Sequence, residues 1–360
     1  MRQSWKHVLG VFITVSMMFF ISLPTLSAQD STLPAEVPIF LLQDGQIMEL
    51  NTDTGAQTTI SQAPALTLSS SSDSTQPFRL FSADIDPAAE WIYVLEFQGL
   101  NEQYYPTGTR IMRVNVQTGQ EILFRNDPDM YSFAISPDGQ RVAIFYLDDT
   151  TGLMIQHVCI LNIASTYCQP LPFAGLSSAF LWLDNERLLL TVPESAPVRI
   201  VNVETMSIET IDQPEEWFVY TATPIPNTTH LLLAGRLREG GGYVPTSFLT
   251  YNFDTAETQV LPFAALNVDD FPAVGMMSFS SNGQYLLYQG DAVALIEFAT
   301  GRLITRLEFV TSFGWLDDQT LLVQGSRDGT TPEIMRIDAS TGEIVSLASG
   351  DSAGGVLLVP

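Results

Sequence analysis

Lysine is all but missing from this chain. Lys6 is the single one among 15 basic residues, which stand against 40 acidic ones for a net charge of −25. A surface so acidic repels phosphate backbones, so nucleic acid is excluded as a partner. If the residues before Gln29 are removed, Arg2 and Lys6 go with them and the net charge becomes 13 − 40 = −27. Schiff-base chemistry then has no lysine to use. Histidine is as scarce. Beyond His7 there are only His157, inside an apolar run, and His230, beside Leu231, Leu232 and Leu233. Both read as packing or edge residues, which leaves a Ser-His-acid arrangement without a base. The chain has no G-x-S-x-G elbow, no P-loop or dinucleotide glycine pattern, and no H-E-x-x-H. Its two cysteines lack C-x-x-C spacing, which argues against redox or zinc chemistry.

Long apolar runs are missing as well. The longest, residues 8–23, holds about 16 residues, short of the ~20 that span a bilayer. Its context is that of a secretory signal peptide over 1–28: Arg2 and Lys6 ahead of it, Ser27 and Ala28 behind it, then a polar tail over 29–38. No cysteine stands at the cleavage region, which speaks against a lipid anchor. The competing reading is a retained anchor, because Leu26 is not the small residue preferred at its position. Cleavage implies a chain secreted, periplasmic or at the cell surface, with no membrane span in its mature form.

What is present is repetition. Residues 131–171 contain four β-rich runs of about five residues, split by Pro, Asp and Gly, as in a four-stranded antiparallel meander. Pro137, Asp138 and Gly139 supply the fixed φ, the side-chain hydrogen bond and the positive φ of a tight turn. Residues 142–147 are apolar on both faces, so this sheet expects a neighbour on each side. The same unit recurs from 82, 181, 223, 279 and 314. Each copy has an apolar run, a polar turn, a denser apolar run, a variable loop and a hairpin with a TG-like turn. A period of about 35 to 55 residues is that of propeller blades.

Six copies are complete. Residues 39–60 (IFLLQDGQIMELNTDTGAQTTI) supply only the last three strands of a seventh, and 355–360 (GVLLVP) are a lone β-rich run. Together they make one blade, with its innermost strand from the C-terminus. The expectation is therefore an all-β propeller of about seven four-stranded antiparallel blades over 39–360, closed by the C-terminal strand. Residues 61–76, rich in serine, read as an inter-blade loop.

Two motifs carry a resemblance. Residues 133–146 (FAISPDGQRVAIFY) resemble the repeat of TolB-like and WD-repeat-like bacterial propellers, with 279–288 as a weaker copy. The hairpins 111–122 (IMRVNVQTGQEI) and 334–344 (IMRIDASTGEI) are similar to the YVTN-type repeat. The Trp-Asp dipeptide of true WD repeats is absent. The resemblance covers nearly all of the mature chain and implies a fold rather than an activity.

Cys159 and Cys168 fall on the two strands of one hairpin, so they are either a disulfide or two buried thiols, as register decides. Acidic pairs occur at Asp127/Asp129, Asp148/Asp149, Asp269/Asp270 and Asp317/Asp318. Calcium is the cation such pairs would take, but none has an EF-hand spacing, and turn carboxylates in an acidic protein explain them. No cofactor is expected. Trp182 and Trp315 hold equivalent repeat positions and read as blade packing.

The turns between first and second strands, and between third and fourth, are short and alike. The connections on the other face are long and varied, and binding tends to live in such loops on a rigid scaffold. The expectation is a non-catalytic propeller binding a protein, peptide or glycan there. Tyr104, Tyr105, Arg236, Arg238 and Tyr243 are its candidate contacts, all read as loop residues between second and third strands. The alternative is a propeller enzyme, a metal-assisted hydrolase or a lyase, with carboxylates at the central channel.

Overall fold

Where the two apolar faces of each second strand go decides the architecture. A computed structural model describes residues 39–358 apart from 44–45, 53, 63–77, 98, 101–105, 128, 149–154, 166, 176–178, 192–196, 213–216, 240–241, 244–246, 262–275, 290–291, 328 and 350–355. The signal peptide and tail expected over 1–38 lie outside these residues. In the third blade, Val142 and Ile144 pack with Tyr93, Leu95 and Ile111 of the blade before it. Ala143 and Phe145, which alternate with them, pack with Trp182, Leu188 and Leu190 of the blade after it. A period of two therefore divides one strand between two cores.

Seven four-stranded antiparallel sheets result, with no helix among the described residues. Blade one holds Ile39–Gln43, Gln46–Leu50 and Gln57–Gln62, with Val356–Leu358 as its fourth strand. Blade two holds Phe78–Ile85, Trp91–Phe97, Arg110–Asn115 and Glu121–Asn126. Blade three holds Met130–Ile135, Arg141–Asp148, Ile155–Asn162 and Cys168–Gly175. Blade four holds Ala179–Trp182, Arg187–Thr191, Arg199–Asn202 and Ile208–Thr210. Blade five holds Trp217–Pro224, His230–Glu239, Ser247–Asn252 and Glu257–Leu261. Blade six holds Met277–Phe279, Tyr285–Gln289, Ala292–Glu297 and Arg302–Glu308. Blade seven holds Val310–Trp315, Thr320–Gly325, Glu333–Asp338 and Ile344–Ser349.

In blades two to seven the first strand is innermost, in blade one Val356–Leu358 is, and each neighbouring pair of blades shares one apolar core. The ring is closed, because the seventh blade meets the first. Leu322 and Ile334 pack there with Ile39, Leu41, Met48 and Leu50. Phe40 and Ile47 face the other way, into the core shared with Ile92, Val94 and Val114 of blade two. Closure is made by the C-terminal strand: Phe40, Leu41 and Leu42 lie opposite Leu358, Leu357 and Val356. The resemblance to bacterial propellers thus holds at the level of fold.

The TG hairpin turns have a common construction. Asn51 Oδ1 accepts the Thr54 N–H at 2.8 Å, Asn115 that of Thr118 at 2.9 Å, Asn202 that of Thr205 at 2.8 Å, and Asp338 that of Thr341 at 2.9 Å. The next residue has a positive φ: Gly55, Gly119, Gly301 and Gly342 where the sequence permits, but Met206 (58°) and Ala256 (56°) elsewhere. Gly55 has a second reason to be glycine. A Cβ there would collide with the Leu347 carbonyl oxygen, on the outer strand of blade seven. The hairpin of blade one therefore leans directly on its neighbour's backbone.

Three outcomes follow. Deleting residues 355–360 should lower the free energy of unfolding in urea by about 3 kcal/mol or more, because Phe40 and Leu41 lose their cover; an unchanged midpoint would refute closure. Gly55→Ala should also destabilise by more than the ~1–2 kcal/mol of left-handed backbone alone. By contrast Ala256→Gly, at an exposed turn, should leave stability unchanged or raise it by up to about 1 kcal/mol.

Candidate functional site

The face carrying the short turns uses its polar side chains structurally. Asp86 Oδ1 caps the Glu90 and Trp91 amides at 2.7 and 3.0 Å. Ser136 Oγ donates to Asp138 Oδ1 at 2.6 Å and accepts the Arg141 N–H at 2.9 Å. Asp184 accepts from the Glu186 and Arg187 amides, and Asp317 from those of Gln319 and Thr320. Adjacent blades are clasped by Arg141 with Glu204 and by Ser281 with Asp318. These bonds favour ionised carboxylates. The Ser340 hydroxyl, then the Thr341 amide, hold Asp338 below the usual carboxylate range. Thr300, then Arg302, do so for Glu297.

Of the acidic pairs, Asp317 caps its turn and Asp318 accepts from Ser281. Asp127 approaches Arg125 at 3.4 Å, and its carbonyl accepts from Thr109 Oγ1 at 2.7 Å. Asp149, Asp269 and Asp270 lie outside the described residues. Among the described residues no three His, Cys, Asp or Glu side chains converge as a metal site would require. His230 Nε2 meets Asn252 Nδ2 at 3.2 Å at a strand start, and His157 sits in the third strand of blade three. Trp182 is buried between blades three and four, with its Nε1 donating to Ala134 O at 3.1 Å. Trp315 stacks with Tyr285 of the preceding blade, ring centroids 6.5 Å apart. Cys159 and Cys168 are joined by a disulfide, their Cα atoms 5.5 Å apart, diagonally across the ladder, with Leu161 opposite Cys168 and Pro170 opposite Cys159.

One carboxylate stands apart. Asp84 ends the innermost strand of blade two. Its Oδ2 accepts the Ile135 N–H at 2.8 Å, on the free edge of the innermost strand of blade three, and its Oδ1 accepts the Ile85 N–H at 2.9 Å. It ties two inner strands together. Burial pushes its pKa up to about 6, against the pull of those two amides. The turn bonds that fix the repeat register place Asp84 level with Ala134, Thr223, Ser278 and Gly314. An aspartate among small or uncharged residues was the available signal, and comparison of motifs alone passed over it.

On the other face the loop expectations need correction. Arg236 and Arg238 lie on the long second strand of blade five, opposite Phe218 and, in a side ribbon, Tyr243. Tyr243 belongs to the two-residue strand Gly242–Tyr243 that forms this ribbon. The run Gly240-Gly241-Gly242 is a hairpin signal, so the strand continues where a loop was expected. Likewise Gly99–Leu100 pairs with Pro106–Thr107, while Tyr104 and Tyr105 lie outside the described residues. Arg238 and Tyr243 are thus brought together in blade five.

A different feature on this face escaped the sequence. Phe309 is the whole connection between blades six and seven, with φ of 56° and 59% exposure. A bulky residue in that conformation costs about 1–2 kcal/mol relative to glycine. It is held by the Ser326 N–H donating to its carbonyl at 3.1 Å. Gly325 and Gly329 leave room for it: a Cβ on Gly325 would be 2.8 Å from Phe309 O, and one on Gly329 2.9 Å from the ring. Met276, 58% exposed, stands at the start of the preceding blade. Gln289 joins the backbones of the two inner strands, its N–H donating to Met276 O at 2.8 Å and its Nε2 to Val310 O at 3.2 Å.

Comparison with known proteins supports the fold and stops there. No protein family and no curated protein matches the chain. Among solved structures, oligogalacturonate lyase from Vibrio parahaemolyticus is similar over 81% of this chain and 83% of that one, with a TM-score of 0.59 and 10% identity. Hydrazine synthase from Kuenenia stuttgartiensis is similar over 88% and 99%, with a TM-score of 0.53 and 13% identity. TolB from Acinetobacter baumannii aligns over 75% and 62% at a TM-score of 0.49 and 13% identity, too loosely to carry an argument. Enzymes of unrelated chemistry share this ring, so function has to be argued from its surfaces.

Asp84 makes a signed prediction. Its folded pKa lies above the unfolded value, so the stability it contributes is complete below about pH 4 and is lost as pH rises through about 6. Two pKa units correspond to roughly 2–3 kcal/mol. The urea midpoint should fall between pH 4 and 7 in the wild type and stay flatter in Asp84→Asn; identical profiles would contradict the assignment.

Proposed function

We propose that this chain is an exported, non-catalytic propeller that binds a protein, peptide or glycan on the face bearing its long connections. The observation that carries the reading is the contrast between the faces. On the short-turn face Asp86, Ser136 and Asp317 cap turns, and Arg141 with Glu204 clasps two blades. The opposite face presents Phe309 and Met276 to solvent, Phe309 with a positive φ. Export is supported by the sequence of residues 1–28 and is in keeping with a disulfide. No helix among the described residues is long and apolar enough to cross a membrane.

A hydrolase or lyase would need converging carboxylates or metal ligands. Asp84 is a single carboxylate engaged with two amides, and glycoside chemistry takes a pair. The manganese in one similar lyase belongs to that protein, and 10% identity transfers nothing of its site.

Arrays of peptides and glycans offer the direct test. Once a ligand is found, alanine at Tyr104, Tyr105, Arg236, Arg238 and Tyr243 should cost about 2 kcal/mol or more of binding at one or two positions, with melting unchanged. Asp138→Ala and Asp317→Ala should lower melting and spare affinity. Binding that survives all five changes but is lost on altering the short turns would place the site on the wrong face.

A further inference from the structure

The outer strand of blade three, Cys168–Gly175, is built unlike the other six. Pro170 and Pro172 have no amide hydrogen to give its ladder, whereas the other outer strands, as described, contain no proline. Its register also breaks. His157 lies opposite Ala174 and Cys159 opposite Pro170, so Val158 alone stands against the stretch Leu171, Pro172 and Phe173. Among its described side chains only Leu171 is buried, in the core shared with blade four. What the ladder lacks the Cys159–Cys168 bond supplies, and these are the only cysteines in the chain. The two sulfurs are unequal. Cys159 is buried in the core shared with blade two, its Sγ 3.5 Å from Tyr146 Oη. Cys168 is half-buried, between the exposed residues Tyr167 and Gln169.

We infer that this disulfide is a reducible clasp: an external dithiol opens it and frees the outer strand of blade three, while the rest of the blade and the ring stay folded. A thiolate of the reductant attacks Cys168 Sγ, the accessible sulfur, and forms a mixed disulfide. Cys159 Sγ leaves with the electron pair and takes up a proton. The second thiol of the reductant then displaces Cys168, which also leaves as a thiolate and is protonated. The protein gains two thiols and the reductant departs as its cyclic disulfide. The rest of the blade keeps its own supports. Val142 and Ile144 of the second strand remain in the core with blade two, and Ala143 and Phe145 in the core with blade four. Opening is therefore confined to a strand weak in ladder bonds. It leaves the edge of Ile155–Asn162 unpaired, with backbone N–H and C=O groups open to an added strand.

The experiment incubates the oxidised full chain with dithiothreitol under native conditions. Thiols are counted by mass after an acid quench and blocking with a maleimide in denaturant. Hydrogen exchange is followed by mass spectrometry with and without the reductant. Both cysteines should appear as thiols without any denaturant during reduction. Exchange over residues 168–175 should quicken by about tenfold or more. Exchange at Ile144 and in the second strands of the other blades should not change. Removing the reductant and reoxidising should restore slow exchange. Cys159→Ala combined with Cys168→Ala should show the fast exchange with no reductant present, which separates loss of the bond from any other action of the thiol. A disulfide that is reduced only in urea would overturn the inference, because it would be a closed staple. So would unchanged exchange over 168–175 in the reduced chain or in the double variant. Protection lost from the second strands of every blade would overturn it as well, since the bond would then support the whole ring.

Discussion

Apolar packing between neighbouring blades is the interaction on which everything else depends. No blade has a core of its own. Each second strand sends alternate residues to opposite sides, as Leu231 and Leu233 do toward blade four while Leu232 and Ala234 face blade six. Seven such interfaces exist only if the ring closes, and closure falls to the short strand Val356–Leu358. Outer rigidity comes from the same logic: hairpin turns reach across to the preceding blade, where Gly55 and Gly119 meet the carbonyls of Leu347 and Ile60. The result is a scaffold that can hold a connection such as Phe309 in a conformation it would not choose alone.

The division between faces follows from the chain path. Connections within each hairpin must be tight, so Asn, Asp, Ser and Thr side chains there complete turns and their charges are satisfied locally. Connections on the other face only have to reach the next strand, which frees them to vary. Polar links deeper in the structure serve packing instead: Tyr251 donates to Glu209 between blades four and five, and burial, then that acceptor, push its phenol up to about 12.

Much of the fold was legible because it is repetitive. A strand apolar on both faces, the S-P-D-G turn, the N-x-x-T-G hairpins and the unmatched strand at the C-terminus each have a mechanical reading, and together they leave one closed arrangement. Legibility ended where a residue's role depends on what lies across a blade boundary. Asp84 is an ordinary aspartate until the Ile135 amide of the next blade is placed beside it. Phe309 is an ordinary apolar residue until its φ and the glycines under it are known. Arg236, Arg238 and Tyr243 were assigned to a loop, whereas the pairing of Arg238 with Tyr243 extends the strand into a ribbon.

The most direct test of the account is native-state hydrogen exchange across the second strands of all seven blades. If the ring is one cooperative unit, amides of Leu41, Val94, Ile144, Leu189, Leu232, Leu287 and Val323, each buried in a core shared by two blades, should exchange only through global unfolding, with a common free energy of opening. Blade one, built from both chain ends, should be no exception. Opening of Leu41 and its strand at a clearly lower free energy than the other six would contradict the closed ring.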